Sequence, residues 1–271
     1  MVKVRSTMDF SLSSNERLNL KEKQKLVFKF TKIKNLTSKY LNFYTFHAGF
    51  KKKSNDLLII VFKIPTPLKA IYSKTSTPSA PIIWDKKNNK GLCKVLIINS
   101  GNANAHTGLV GVKAIDNYVT EACKFFQCPR NQILVSSTGV IGEQLDIDKI
   151  KKVYPLISNK TKGNLLSAAE TIMTTDTFSK TCLKTVKIGS KKIRIFGFAK
   201  GSGMISPNMG TMLAYIFIEA NISRSLLKNF LHCSLDSSFN SITVDGDTST
   251  SDTLMLFSLF EINDKKISNS S

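Results

Sequence analysis

The sequence lacks the features of several protein classes. No apolar run in its 271 residues approaches the roughly 20 residues that span a membrane, so we expect no membrane association. The basic N-terminus has no apolar stretch of the signal-peptide kind, and we expect no secretory signal. The five cysteines are odd in number and have no paired metal-ligand spacing. We therefore expect reduced, mostly buried thiols in a cytoplasmic protein.

Acidic residues are scarce, since 19 Asp and Glu stand against 39 Lys and Arg, and the net charge is +20. Such a charge can indicate nucleic-acid binding. However, the lysines are scattered among Asn, Ile and Ser, with no arginine-rich helix and no aromatic ladder between them. Residues 211–271 even carry more acidic than basic side chains. The pattern favours a solvated lysine-rich surface, and we expect no nucleic-acid partner.

A glycine-rich segment stands directly before an apolar run. Gly201, Gly203 and Gly210 precede Thr211, and the run 215–218 follows. A glycine before a threonine permits a tight bend that could present the Gly210 carbonyl to the Thr211 hydroxyl. Attack would convert the peptide bond to an ester, and hydrolysis would leave Thr211 with a free α-amine, an activated nucleophile. The alternative is a glycine-rich loop that enters a buried strand.

Apolar periodicity predicts a mixed α/β fold with strands and helices in layers. Residues 1–45 are polar and basic, and we interpret them as an extension that includes a possible helix at 16–28. Trp84 is predicted to lie in the core. Strands are predicted at 56–62, 70–73, 93–98, 133–135, 215–218 and 254–260, with a hairpin at 186–197 that turns at 189–190. Helices are predicted at 115–126, 147–154, 164–173 and 223–231.

Two small, polar loops follow predicted strands, at 99–108 and 136–142. Loops in this position commonly carry binding groups in α/β proteins, although the first of them is equally consistent with a helix-capping turn. Asp245, Asp247 and Asp252 lie close together in the sequence but lack the glycine and the distal glutamate of an EF-hand. We expect no metal site.

Taken in order, these segments resemble the ornithine acetyltransferases, the bifunctional glutamate N-acetyltransferases of arginine biosynthesis. Any one of the segments is a weak motif, but their common order over roughly residues 47–262 is specific. The matching segments are 99–105 (NSGNANA), 137–143 (STGVIGE), 172–178 (IMTTDTF), 200–204 (KGSGM), 207–213 (PNMGTML) and 240–250 (NSITVDGDTST).

The resemblance implies a fold shared with N-terminal-nucleophile aminopeptidases. It also implies a precursor that cleaves itself between Gly210 and Thr211, so that 46–210 belong to an α chain and 211–271 form a β chain. Such chains assemble as an α2β2 heterotetramer. The family uses no cofactor and no metal.

The resemblance further implies a ping-pong reaction. Thr211 would take the acetyl group from N-acetylornithine and pass it to glutamate, and acetyl-CoA is a possible second donor. The family's oxyanion hole maps onto Thr138 and Gly139, where preorganised hydrogen-bond donors stabilise the tetrahedral intermediate. Its substrate contacts map onto Thr174, with Thr175 as the neighbouring candidate, and onto Lys200, a suitable point charge for a carboxylate.

Two departures from the family pattern leave alternatives open. Gly210 stands where the family usually has alanine, a small change that we expect to permit cleavage. Family members also continue well past position 271, where they carry further substrate-binding residues, so we expect a truncated chain. One alternative is therefore an N-terminal-threonine aminopeptidase of the same fold. Another is an inactive relic or a basic binding protein.

Overall fold

The computed structural model describes residues 33, 35–203, 212–245 and 249–268. The possible helix at 16–28 lies outside the described residues. So do Gly210 and Thr211, the predicted cleavage site and nucleophile.

The strands of the described residues form one mixed sheet. Its order is β4-β3-β2-β8-β7-β6-β5, with β1 paired to β2 beside that path. The β3–β4 and β7–β8 pairs are parallel, and the other pairs are antiparallel. The strands are β1 (Leu41–Phe46), β2 (Leu57–Tyr72), β3 (Leu92–Asn102), β4 (Ile133–Val140), β5 (Lys180–Ile188), β6 (Lys191–Lys200), β7 (Leu213–Ile218) and β8 (Thr253–Ser258).

Strand β2 is 16 residues long and connects two halves of the sheet. Its first part pairs with β1 and β3, and its last part, from Leu68, pairs with β8. The sequence predicted two separate strands here, at 56–62 and 70–73, and that prediction is wrong. Pro65 and Pro67 interrupt the apolar pattern, but they fall at or beside a register shift between Val61 and Thr66, where a missing N–H is tolerated.

Helices cover the outer faces of the sheet. The predictions for 164–173 and 223–231 are confirmed, although the second helix extends to Leu235. Each helix has a side-chain cap, since Asn164 accepts from the Ser167 N–H and Ser223 accepts from the Leu226 N–H. The helix predicted at 115–126 begins at Gly108, and the helix predicted at 147–154 ends as an α-helix at Lys151. The helices are α1 (Ala80–Asn88), α2 (Gly108–Phe126), α3 (Ile147–Lys151), α4 (Leu165–Ile172) and α5 (Arg224–Leu235).

The two halves of the sheet share an aromatic core. Phe217 of β7 lies at its centre, with ring centroids 6.2 Å from Phe43 of β1 and 5.2 Å from Phe257 of β8. Phe62 of β2 stacks on Phe257 at 4.9 Å. Helix α4 packs against the same cluster. The first part of β2 and most of β3 are buried on both faces, which explains why they read as continuous apolar runs.

Two further clusters form the outer layers. Helices α1, α2 and α3 pack on the face of the β2–β3–β4 half, where Trp84 is buried as predicted. Helix α5 packs on the outer face of β7 and β8 through Leu227 and Leu231. The architecture is thus layered as helices, half-sheet, half-sheet and helix, and the prediction of strands and helices in layers is confirmed.

The expectation of mostly buried cysteines is wrong. Cys93 is buried, Cys123 and Cys128 are partly buried, and Cys182 and Cys233 are exposed. Cys182 lies on β5, a strand at the edge of the sheet whose outer face no described element covers. Within the described ranges, no helix has both the length and the apolar character needed to cross a bilayer.

Candidate active site

The parallel strands β3 and β4 end side by side, and their last residues form one wall of a cavity. Thr138 pairs with Ser100, and Gly139 pairs with Gly101. Gly139 has a φ of +130°, and a Cβ atom there would lie 2.3 Å from the Gly101 carbonyl carbon. Only glycine fits this position, and Thr138 and Gly139 both line the cavity.

Lys200 brings two of the predicted site residues together. It ends β6 and is only 3% exposed. Its Nζ donates to Thr138 Oγ1 at 2.8 Å and to Thr174 Oγ1 at 2.9 Å. Burial lowers the pKa of Lys200, and the charge of Asp176 partly opposes that shift. Three segments that lie far apart in the chain thus meet at one ammonium group.

Asp176 fixes the loop that carries Thr174 against the end of β6. Its carboxylate accepts from the Gly201 N–H at 2.8 Å and from Lys180 Nζ at 2.6 Å. Burial alone would raise the pKa of Asp176, but these hydrogen bonds and the nearby ammonium charges outweigh it, and the pKa is lowered. Thr175 is exposed and forms a hydrogen bond with Ser202 at 2.8 Å, so it is held less firmly than Thr174.

The cavity has a volume of about 580 Å³. The predicted residues Thr138, Gly139, Thr174 and Lys200 all line it. Among the described lining residues the charged side chains are both lysines, and none is acidic. The remaining lining residues are Lys51, Gly101, Ala103, Val140, Ile141, Thr175, Gly203, Ser249, Thr250 and Ser251.

Asp252 is a functional candidate that the sequence suggested only as a member of an EF-hand-like cluster of aspartates, which was rejected. It is fully buried, and its Oδ1 accepts from the Met212 N–H at 2.6 Å. Met212 directly follows Thr211 in the chain, and Ser251, beside Asp252, lines the cavity. Burial raises the pKa of Asp252 to about 8, although the Met212 N–H, the Ser249 hydroxyl and the charge of Lys200 favour its ionised form.

Lys51 is a second candidate that the sequence did not reveal. Its Nζ donates to the carbonyl of Thr171, the penultimate residue of α4, at 2.8 Å and to the Asn55 carbonyl at 3.1 Å. The loop that carries it is closed by Asp56, which is buried and accepts four backbone N–H groups, those of residues 48–51. Nothing in the run of three lysines at 51–53 distinguishes the first one by sequence alone.

The segment predicted as a loop at 99–108 is partly strand, since β3 extends to Asn102. Asn99 is buried, accepts from the Ser137 hydroxyl at 2.6 Å and donates to the Asn102 carbonyl at 2.7 Å, which ties β3 to β4. Gly101 and Ala103 line the cavity. The helix-capping alternative is not seen, because Thr107 at the N-cap of α2 makes no side-chain capping hydrogen bond, and a binding role for this segment stays a prediction.

Comparison with known proteins identifies a family. Residues 42–269 match the model of the ArgJ family. The chain is 42% identical over 216 residues to the arginine biosynthesis bifunctional protein ArgJ of Bradyrhizobium diazoefficiens, covering 79% of this chain and 52% of that protein. The protein of the same name from Bartonella henselae is also 42% identical, with 79% and 53% covered. The chain spans about half the length of the curated relatives it matches.

Solved structures agree with the layered architecture. The structure of the arginine biosynthesis bifunctional protein ArgJ of Bacillus halodurans has a TM-score of 0.57 and 31% identity, covering 65% of this chain and 92% of that chain. The ornithine acetyltransferase of Mycobacterium tuberculosis, solved with ornithine, has a TM-score of 0.53 at 22% identity, covering 65% and 93%. At 22% identity, the second structure supports a shared fold alone. The two structures together confirm the predicted fold class.

Proposed function

The chain belongs to the ArgJ family, and on this premise we propose that it transfers an acetyl group from N-acetylornithine to glutamate. We further propose that it first cleaves itself between Gly210 and Thr211, and that Thr211 then carries the acetyl group as an ester. We propose acetyl-CoA as a second acetyl donor. The active form is proposed to be a cytoplasmic α2β2 assembly in which 46–210 belong to α and 211–271 to β.

The observation that carries this proposal is the position of Lys200 between Thr138 and Thr174. A buried ammonium at the wall of a cavity without acidic lining residues attracts a carboxylate, and both donor and acceptor of the proposed reaction have one. The Thr138 hydroxyl accepts from Lys200, which leaves its own hydrogen free to donate. Gly139 adds a backbone N–H beside it. These two donors support the assignment of an oxyanion hole.

The proposed chemistry proceeds in two balanced halves. The Thr211 oxygen attacks the acetyl carbonyl of N-acetylornithine while the α-amine of Thr211 takes the hydroxyl proton. The tetrahedral oxyanion is stabilised by Thr138 and Gly139. It collapses with cleavage of the C–N bond, and the amine of ornithine leaves with the proton. The amine of glutamate then attacks the ester by the reverse steps, which restores the free Thr211 hydroxyl.

The fixed position of Met212 supports a reacting centre next to it. The Met212 N–H binds the Asp252 carboxyl, and the Met212 carbonyl accepts from the Thr253 N–H at 2.9 Å. Both contacts hold the first residue after the proposed nucleophile at the head of β7. Nucleophiles need such support, because small displacements of the reacting atom reduce the rate strongly.

Intact-mass measurement of the expressed chain tests the first step. We expect two fragments that divide between Gly210 and Thr211, and a Thr211→Ala variant that stays whole at 30.1 kDa. Incubation with N-acetylornithine alone should add one acetyl group to the fragment that begins at Thr211. Addition of glutamate should remove it and produce N-acetylglutamate. An uncleaved wild-type chain that transfers no acetyl group would contradict the proposal.

A further inference from the structure

The cavity carries more positive charge than one carboxylate requires. Lys51 and Lys200 both line it, and no acidic side chain is among the described lining residues. The carboxylates of Asp56 and Asp176 act on these lysines from behind the cavity wall and oppose only part of the pKa lowering that burial causes. Two ammonium groups at one partly enclosed cavity favour a ligand that brings opposite charges into the cavity itself. The lining hydroxyls are neutral and cannot do this. The site is therefore suited to a ligand with two separate anionic groups.

The position of Lys51 is built into the fold. The Lys51 N–H is one of the four that bind the buried carboxylate of Asp56, at 2.9 Å. This contact fixes the backbone of Lys51, and the two carbonyl contacts of its Nζ fix the end of the side chain. An ammonium group has three donors, so the two contacts that Nζ makes in the described part of the chain leave one donor for a ligand.

A purely structural role for Lys51 would be to tie its loop to the end of α4. That role does not explain why Lys51 also lines the cavity, where the other charged residue of the described lining is Lys200. Burial lowers the pKa of Lys51 to about 8; the carboxylate of Asp56 opposes the shift, while the charge of Lys200 adds to it. Asp56 already accepts four backbone hydrogen bonds and forms no hydrogen bond with Lys51 Nζ in the described residues.

We propose that Lys51 binds the side-chain carboxylate of the acceptor amino acid, so that the cavity selects a dicarboxylic acceptor over its uncharged analogues. This inference rests on the proposed acetyl transfer, in which Lys200 meets the α-carboxylate and the acceptor is glutamate. Lys51 is then the residue that distinguishes glutamate from glutamine, two acceptors of nearly the same shape.

Acceptor competition tests the inference. The preference for glutamate is the ratio of kcat/KM for glutamate to kcat/KM for glutamine. In Lys51→Met this ratio should fall by about tenfold to a hundredfold, because one charge-assisted hydrogen bond to glutamate is lost. The change should come mainly from a higher KM for glutamate. Lys51→Arg, which keeps the charge, should restore part of the preference. Lys52→Met is the matched control, since Lys52 is an exposed lysine of the same loop, and its ratio should equal that of the wild type. Equal losses for both acceptors in Lys51→Met would show a structural tie and overturn the inference.

Binding measurements separate this inference from the proposed function. Calorimetric titration at fixed ionic strength should show that the wild-type chain binds glutamate more tightly than glutamine, and that Lys51→Met loses this difference. If the wild type transfers no acetyl group but shows that pattern, the proposed function fails and the role of Lys51 stands. If the wild type transfers the acetyl group while Lys51→Met keeps the full preference for glutamate, the function stands and the inference is wrong.

Discussion

Replacement of Asp252 by asparagine should change how folding stability depends on pH. Asp252 is fully buried and its pKa is raised to about 8, whereas an aspartate in an unfolded chain titrates near ~4. Between these values the folded state holds a proton that the unfolded state releases. The stability that this proton provides is fully present below pH ~4 and is lost as the pH rises through about 8.

The size of the effect follows from this linkage. One such group changes the free energy of unfolding by at most about 1.4 kcal/mol per pH unit, or about 2–3 kcal/mol between pH 5 and pH 7. Asparagine has nearly the same shape, keeps an oxygen that can accept from the Met212 N–H, and does not ionise. The stability of wild type minus that of Asp252→Asn should therefore fall by about this amount as the pH rises. Asp176, whose pKa is lowered, acts in the opposite direction but is present in both proteins and cancels.

Urea denaturation at pH 5, 6 and 7 measures this difference. Both proteins should carry Thr211→Ala, so that neither can form a new α-amine at the proposed cleavage site. The comparison is between two slopes, and a constant offset from the substitution does not affect it. A difference that stays constant with pH, or that grows as the pH rises, would refute the assignment of Asp252 as a carboxyl group that is neutral when buried.

Two further substitutions test the cavity wall and the core. Gly139→Ala should destabilise the fold by about 2–4 kcal/mol and abolish activity, because the new Cβ meets the Gly101 backbone. Gly142→Ala is the control, since Gly142 also has a positive φ but open space around it, and it should lose only about 1–2 kcal/mol. Thermal or urea denaturation measures both. Phe217→Ala should lower the free energy of unfolding by about 3–5 kcal/mol, because Phe217 lies at the centre of the aromatic core. Phe230→Ala, on the exposed side of α5, should change it by less than about 1 kcal/mol. Similar losses for both variants would contradict the shared aromatic core.

Local patterns predicted the existence of most elements but not their extents. The helix at 164–173 was predicted nearly to the residue from its apolar periodicity, and the structure adds a capping asparagine at its start. Several strands were predicted too short; β4, for example, continues through residues 136–140, whose polar residues and glycine look like a loop. Their pairing with the end of β3 is a long-range contact, and no local pattern encodes it. Such contacts override propensity.

The candidate site was predicted in part for the same reason. Thr138, Thr174 and Lys200 were named from motifs, and the structure brings them into contact. Lys51 and Asp252 were not recognised, because their significance depends on burial and on what lies across the cavity. A lysine in a basic run and an aspartate in a polar loop are both ordinary surface residues by sequence. Only the fold makes one a cavity cation and the other a buried acid.

The position of the site follows from strand register. Lys200 at the end of β6 pairs with Leu213 at the start of β7, and Leu213 pairs in turn with Thr253 at the start of β8. The glycine-rich segment thus leaves and re-enters the sheet at neighbouring positions. The proposed cleavage within it would leave the preceding part of the chain held through β6 and the following part held through β7, between β6 and β8. The sheet would then join the two pieces that the peptide bond no longer joins, so that the proposed cleavage could occur beside the cavity without separating its walls.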